Sequence, residues 1–215
     1  MAIDSNTKTT TGRQLNSLDE IISGRRSVRQ FQQRAVPREY LERMLEAARW
    51  APSPHGRQPW RFAVVTRPEL KQALATQMGD EWRRNLEMDG QPDEIVTLRL
   101  EKSRQRILNA PAIIIPCLYL EELDTYPDEQ RQAHETTMAI QSIGAAIQNM
   151  LLMAYSLGLD TGWMCAPLFC PGIAREALEL DHAFIPQAMI IVGYAAADPK
   201  RKPHRPIEEL IVRFD

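Results

Sequence analysis

A chain of 215 residues, 44% hydrophobic and 25% charged, suits one globular domain with a sizeable core. Its net charge of −2 excludes binding to nucleic acid or membrane surfaces through bulk positive charge, so any basic site must be local. Three cysteines without C-x-x-C spacing and four scattered histidines argue against a disulfide framework or a zinc site, and a reducing cytoplasm is the expected compartment.

Residues 1–16 are polar and Thr-rich, with no apolar core, and read as a disordered tail ahead of a single domain over 17–215. Ser17 followed by Glu20 is a capping-box pattern, opening a short helix that ends near Gly24. Arg25, Arg26, Ser27 and Arg29 follow at that exit. Pro37 suits a helix start, and Leu41, Met44, Leu45 and Ala48 recur at helical spacing up to about Trp50. Three prolines and a glycine then forbid regular structure over 51–59. Trp60–Val65 reads as a strand. Pro68 opens a helix to about Met78, and 79–91 reads as a polar connection. Pro92 opens a helix to about Leu108.

Ala112–Leu120 is a continuous apolar run of the buried-strand type. Residues 121–132 are acidic and turn-like, with the character of a mobile flap. A long helix is expected over Ala133–Leu157, stopping at Gly158. It is apolar nearly all round and interrupted by Gln141, Ser142, Gln148 and Asn149, which fits a buried helix or subunit interface better than a membrane span. Thr161–Ala166 reads as a strand, Pro171–Leu180 as a helix and Gln187–Tyr194 as a strand. A basic, Pro-rich tail and an apolar-edged stretch, Ile207–Phe214, close the chain. Strands alternating with helices indicate one sheet covered on both sides, an α/β/α sandwich.

No G-x-G-x-x-G, no P-loop and no Ser nucleophile elbow is present. A phosphate-bearing ligand would have to be gripped by side chains. Guanidinium groups do this through paired hydrogen bonds, and Ser27 can add a donor. Taken alone, the Arg cluster is equally compatible with a solvated turn.

Arg25-Arg26-Ser27-x-Arg29-x-Phe31, then Ala51-Pro52-Ser53-Pro54-His55-Gly56-Arg57-Gln58-Pro59-Trp60-Arg61-Phe62, then a basic tail after Val192-Gly193-Tyr194, together resemble the FMN-dependent nitroreductase family. The resemblance spans about 17–214. Pro52-Ser53-Pro54-His55 and the later Asp89-Gly90, Asn109-Ala110-Pro111 and Tyr126-Pro127-Asp128 look closest to one branch, the C-terminal reductase domain of the gamma-glutamyl ligase of deazaflavin-coenzyme biosynthesis. The implied fold is α+β, a mostly antiparallel sheet flanked by helices, in a homodimer with flavin between the subunits.

The resemblance also implies roles. Arg25, Arg26, Ser27 and Arg29 would hold the FMN phosphate and the pyrimidine edge. Ser53, Pro54, His55 and Gln58 would line the flavin from the loop. Most of the family has Asn where this chain has Gly56. Trp163, Met164 and Cys165 would pass beneath the ring, with a backbone N–H near the flavin N5, and many relatives have Glu-Gly in place of Cys165-Ala166. Arg201 and Lys202 would close on the phosphate.

The expected activity is hydride transfer from NAD(P)H through FMN to a small acceptor (nitro-compound, quinone or deazaflavin-like) by a ping-pong scheme. The cofactor carries the chemistry, so no catalytic triad is required of the protein. Two other readings are a non-catalytic flavin carrier or sensor and an anion- or nucleic-acid-binding module. No nucleic-acid or membrane partner is expected.

Overall fold

A computed structural model describes residues 17–197 and 203–215. The expected tail, 1–16, lies outside the described residues. The architecture is an antiparallel sheet between two helical layers. β1 (Trp60–Val65), β2 (Ala112–Leu118), β5 (Met189–Gly193) and β3 (Asp160–Met164) lie in that order, and short β4 (Ile185–Pro186) pairs with β2. Every pair of strands is antiparallel.

The centre is β2, whose seven residues are all buried. That follows from its unbroken apolar run: helices cover both faces, so neither face needs polar side chains. Alternation then sends successive residues to two cores. Ala112, Ile114 and Leu118 meet α2 (Arg38–Arg49) and α5 (Glu129–Ser156) on one face. Ile113, Ile115 and Cys117 meet α3 (Pro68–Met88), α4 (Asp93–Leu108) and α6 (Pro171–Ala177) on the other. Met44, Ile147 and Met150 are fully buried, each contributing about 1.5–3 kcal/mol relative to exposure.

The capping box forms as the sequence requires. Ser17 Oγ accepts from Glu20 N–H at 3.3 Å, and Glu20 Oε2 accepts from Ser17 N–H at 2.9 Å, opening α1 (Leu18–Gly24). Three expectations change. The segment 79–91 is not a connection, because α3 continues to Met88 and its chain turns only at Gly90 (φ 67°). Helix α5 starts at Glu129 rather than Ala133, since Asp128 caps it by accepting from Arg131 N–H at 2.8 Å. The acidic stretch ahead of it is tied down rather than loose: Arg61 pairs with Glu122 and Arg57 with Asp124.

By length and composition α5 could cross a membrane. Here a stripe from Glu135 through Ala139, Ile143, Ile147, Met150 and Ala154 packs into the domain. Its other side leaves Met138 and Ile140 exposed.

The Arg-bearing segment leaves α1 and crosses one end of the sheet as a strap. Val28 N–H donates to Thr161 O at 2.8 Å, Gln32 N–H to Tyr194 O at 2.8 Å, and Ala196 N–H to Gln30 O at 3.0 Å. Val28 and Phe31 anchor it in the core beneath. Close approach requires glycine at two sheet positions. A Cβ on Gly162 would stand 2.4 Å from Val28 O, and one on Gly193 would stand 2.8 Å from Phe31 and Pro111.

Gly162→Ala should therefore push the strap off β3. The opposing atom is backbone and cannot swing aside, so a loss of about 1–3 kcal/mol is expected. It reads as a drop of several degrees in Tm by calorimetry; an unchanged Tm would contradict the close packing.

Candidate functional site

Two groups of expected site residues occupy opposite corners of the sheet. The strap carries Arg25, Arg26, Ser27 and Arg29 past the start of β3, where Ser27 bridges to Thr161. The loop with Ser53, Pro54, His55 and Gln58 precedes β1, on the far edge and at the far end. Counting strand spacings and residues along β1 separates them by on the order of 20 Å.

At the strap corner, a cavity of about 720 Å³ opens between the strap and α4. The strap lines it with Ser27, Arg29, Gln30 and Gln33; α4 adds Glu101, Lys102, Gln105 and Arg106. Three cations there face one carboxylate. Burial, and then the like charge of Arg29, push the Arg106 pKa down from the usual guanidinium range. On the strap ahead of Arg29, Arg25 Nε is buried and has no hydrogen-bond partner among the described residues. An orphaned buried donor is expensive unless a ligand completes it. Like charges around a cavity, here Arg29, Lys102 and Arg106, suit an anionic group such as a phosphate or the charged edge of a reduced flavin. The residues present fit FMN on this account.

The α4 cations Lys102 and Arg106 were missing from the sequence-based set. Nothing in their spacing separates them from an ordinary solvated helix face. The signal that could have found them is the arginine three residues before Asn109-Ala110-Pro111, which this turn aims back at the strap.

At the other corner the loop is strained and stapled. His55, Gly56 and Gln58 all have left-handed backbone, with φ of 51°, 69° and 52°. Ser53 and Gln58 are engaged internally. Ser53 Oγ accepts from Gln58 N–H at 3.0 Å, and Gln58 Nε2 donates to Arg49 O at 3.0 Å. Both side chains therefore build the loop, whatever else they touch. Arg57 Nη1 donates to Glu122 O at 2.7 Å, and its Nη2 pairs with Asp124. Pro54 and His55 are left at the loop's crest, His55 exposed.

Trp163 and Met164 lie next to each other in β3 and so face opposite ways. Met164 packs toward the α3/α4/α6 core, whereas half-exposed Trp163 is on the α5 face, opposite Ile190. One face can line a ligand through Trp163; Met164 could contribute only backbone there. Cys165 is exposed at the strand's end. Arg201 and Lys202 lie outside the described residues.

Residues 22–194 match the nitroreductase family model, and the chain belongs to that family. A protein of Methanothermobacter thermautotrophicus named as an NADH dehydrogenase/NAD(P)H nitroreductase is 31% identical over 183 residues, covering 84% of this chain and 78% of that protein. Bacillus subtilis YfhC, named as an NAD(P)H nitroreductase, is 27% identical and covers 89% of this chain and 91% of its own length. Among solved structures, a nitroreductase in complex with FMN from Desulfovibrio desulfuricans superposes with a TM-score of 0.72 at 27% identity, over 93% of this chain and 98% of that one.

The three thiols should separate by reactivity. Burial pushes Cys117 up to about 12 and, with Glu81 adding to it, raises Cys170 as well. A raised thiol pKa stabilises the fold fully below the ordinary thiol range, and this contribution is lost as pH climbs toward about 12. In flavin-free folded protein at pH 8, one thiol per chain, Cys165, should react quickly with DTNB, and all three in urea. Rapid reaction of three thiols in the folded protein would contradict the burial.

Proposed function

We propose that two copies of this chain bind FMN between them and act as an FMN-dependent NAD(P)H oxidoreductase. The carrying observation is the cationic cavity that Arg29, Lys102 and Arg106 line between the strap and α4. Bound FMN supplies a two-electron carrier that accepts hydride from NAD(P)H and delivers it to a second substrate. Everything else is done by the polypeptide. Arg25, Arg26, Ser27 and Arg29 grip the phosphate and pyrimidine edge, and Arg106 and Lys102 add charge from α4. Arg201 and Lys202 close on the phosphate.

The ring needs cover that one copy does not provide, because its own Ser53–Gln58 loop is at the diagonal corner. A second copy brings that loop over the first copy's strap. Ser53, Pro54, His55 and Gln58 of one subunit then face Trp163, the Met164 backbone and Cys165 of the other. Exposed apolar surface supports the association: Trp50 beside the loop, Met138 and Ile140 on α5, and Val212 and Phe214 in a closing segment exposed throughout.

The acceptor is a small planar electrophile, a nitro-compound, quinone or deazaflavin-like molecule, taken up in a ping-pong cycle after NAD(P)⁺ leaves. The deazaflavin class rests on the likeness of Pro52-Ser53-Pro54-His55, Asp89-Gly90, Asn109-Ala110-Pro111 and Tyr126-Pro127-Asp128 to the reductase domain of the gamma-glutamyl ligase.

Purified protein should be yellow, and apoprotein should take up added FMN and bleach on anaerobic NADH or NADPH. Yellow protein that neither nucleotide bleaches would indicate a carrier or sensor. Arg25→Ala/Arg29→Ala should weaken FMN binding at least about 100-fold, from two charged hydrogen-bonding groups of about 1.5–3 kcal/mol each. Fluorescence titration of apoprotein reads this directly; unchanged affinity sinks the guanidinium grip. Bound FMN should also shield Cys165 from DTNB.

A further inference from the structure

His55 holds a left-handed backbone that costs a non-glycine residue about 1–2 kcal/mol. Such strain persists only where the surroundings over-determine it, and here they do. Arg57, two residues on, is fastened to Glu122 O and to one oxygen of Asp124. The other Asp124 oxygen lies 3.8 Å from His55 Nε2. Two ion-paired segments 67 residues apart thus fix an exposed imidazole beside a carboxylate. Other charges pack around the same turn. Arg61 on β1 is neutralised by Glu122, and buried Glu135 lies on α5, the helix behind the loop.

The charge at the opposite corner creates a need for this group. A two-electron reduction delivered as hydride requires one proton besides the hydride. Arg29, Lys102 and Arg106, which line the cavity, favour negative charge at the ligand edge held there and oppose a proton on it. The edge gripped by the strap is therefore a poor proton source. Reduction by NAD(P)H makes no such demand, because hydride arrives and a cation departs.

We infer that His55 is the proton donor of the acceptor half-reaction, with Asp124 as its positioning residue. The inference rests on the reading that FMN is bound between two copies. The acceptor class is a molecule with a polarised double bond, N=O, C=O or conjugated C=C. Hydride and its electron pair form a bond to one atom of that double bond. The π pair moves to the other atom, which takes the proton from imidazolium Nδ1, since Nε2 faces Asp124. The acceptor gains two electrons, the cofactor gives up the same two, and neutral His55 regains its proton from water.

His55→Asn tests this in the full-length protein, since Asn tolerates left-handed backbone and cannot act as an acid. Three measurements decide it: FMN titration of apoprotein by fluorescence, anaerobic stopped-flow reduction by NAD(P)H, and reoxidation by 1,4-benzoquinone or 4-nitrobenzoate across pH. The wild-type reoxidation rate should depend on pH, as a step that consumes a proton does. His55→Asn should reoxidise about 100-fold more slowly, with a flat profile. The loss should fall at least about ten times more heavily on reoxidation than on reduction. Asp124→Asn should slow the same step less, and Asp124→Glu should restore it. If His55→Asn binds FMN and reoxidises with the wild-type rate and profile, the proton role is overturned while the flavin reading stands. If wild-type apoprotein binds no FMN, both are overturned.

Discussion

The structure depends on how one short segment is held. Arg25 to Gln32 carries like charges that repel, and a free peptide of that composition would stay extended and solvated. Backbone hydrogen bonds to Thr161 and Tyr194, with Val28 and Phe31 sunk into the core, fix it across the sheet end. Glycines 162 and 193 make that approach possible. The energy of the α3/α4/α6 core is thereby spent on gathering cations, and the field they produce is the first property of the site.

That requirement explains other features. The strap needs something to lean toward, and α4 supplies it. Lys71 Nζ, buried on α3, donates to Ala110 O at 2.9 Å and holds the turn between α4 and β2. Desolvation lowers its pKa, so the bond is made by an amine under pressure to lose its charge. Arg106, a few residues before that turn, lies near enough to Arg29 for their like charges to oppose each other.

Much of this was legible in the chain. The strap and loop motifs, the capping box at Ser17 and the buried β2 were plain, because each rests on local chemistry or an unbroken pattern. The continuation of α3 past Met78 was hidden because Gly79 and Asp80 are poor helix formers, and packing against α4 overrides them. Strand alternation turns the Met164 side chain to the other core, which leaves its backbone for the stretch expected beneath the ring. The Arg57–Asp124 pair was invisible, since two residues 67 positions apart carry no periodic signal. Without that pair, 121–132 reads as loose acidic chain; with it, the same residues become a brace.

The diagonal placement of strap and loop has the widest consequence. A site completed within one chain could be tuned one side chain at a time. Here, by the proposed arrangement, each loop serves a neighbour's strap, so a change at His55 or Asp124 acts on chemistry whose charge is set in another copy. The division also separates two demands that conflict in a single pocket. Cations favour electron arrival, and the proposed proton comes from an imidazole beside a carboxylate. On the order of 20 Å apart in one chain, they need meet only across a bound aromatic ring, at the two ends of which their opposing preferences are both useful.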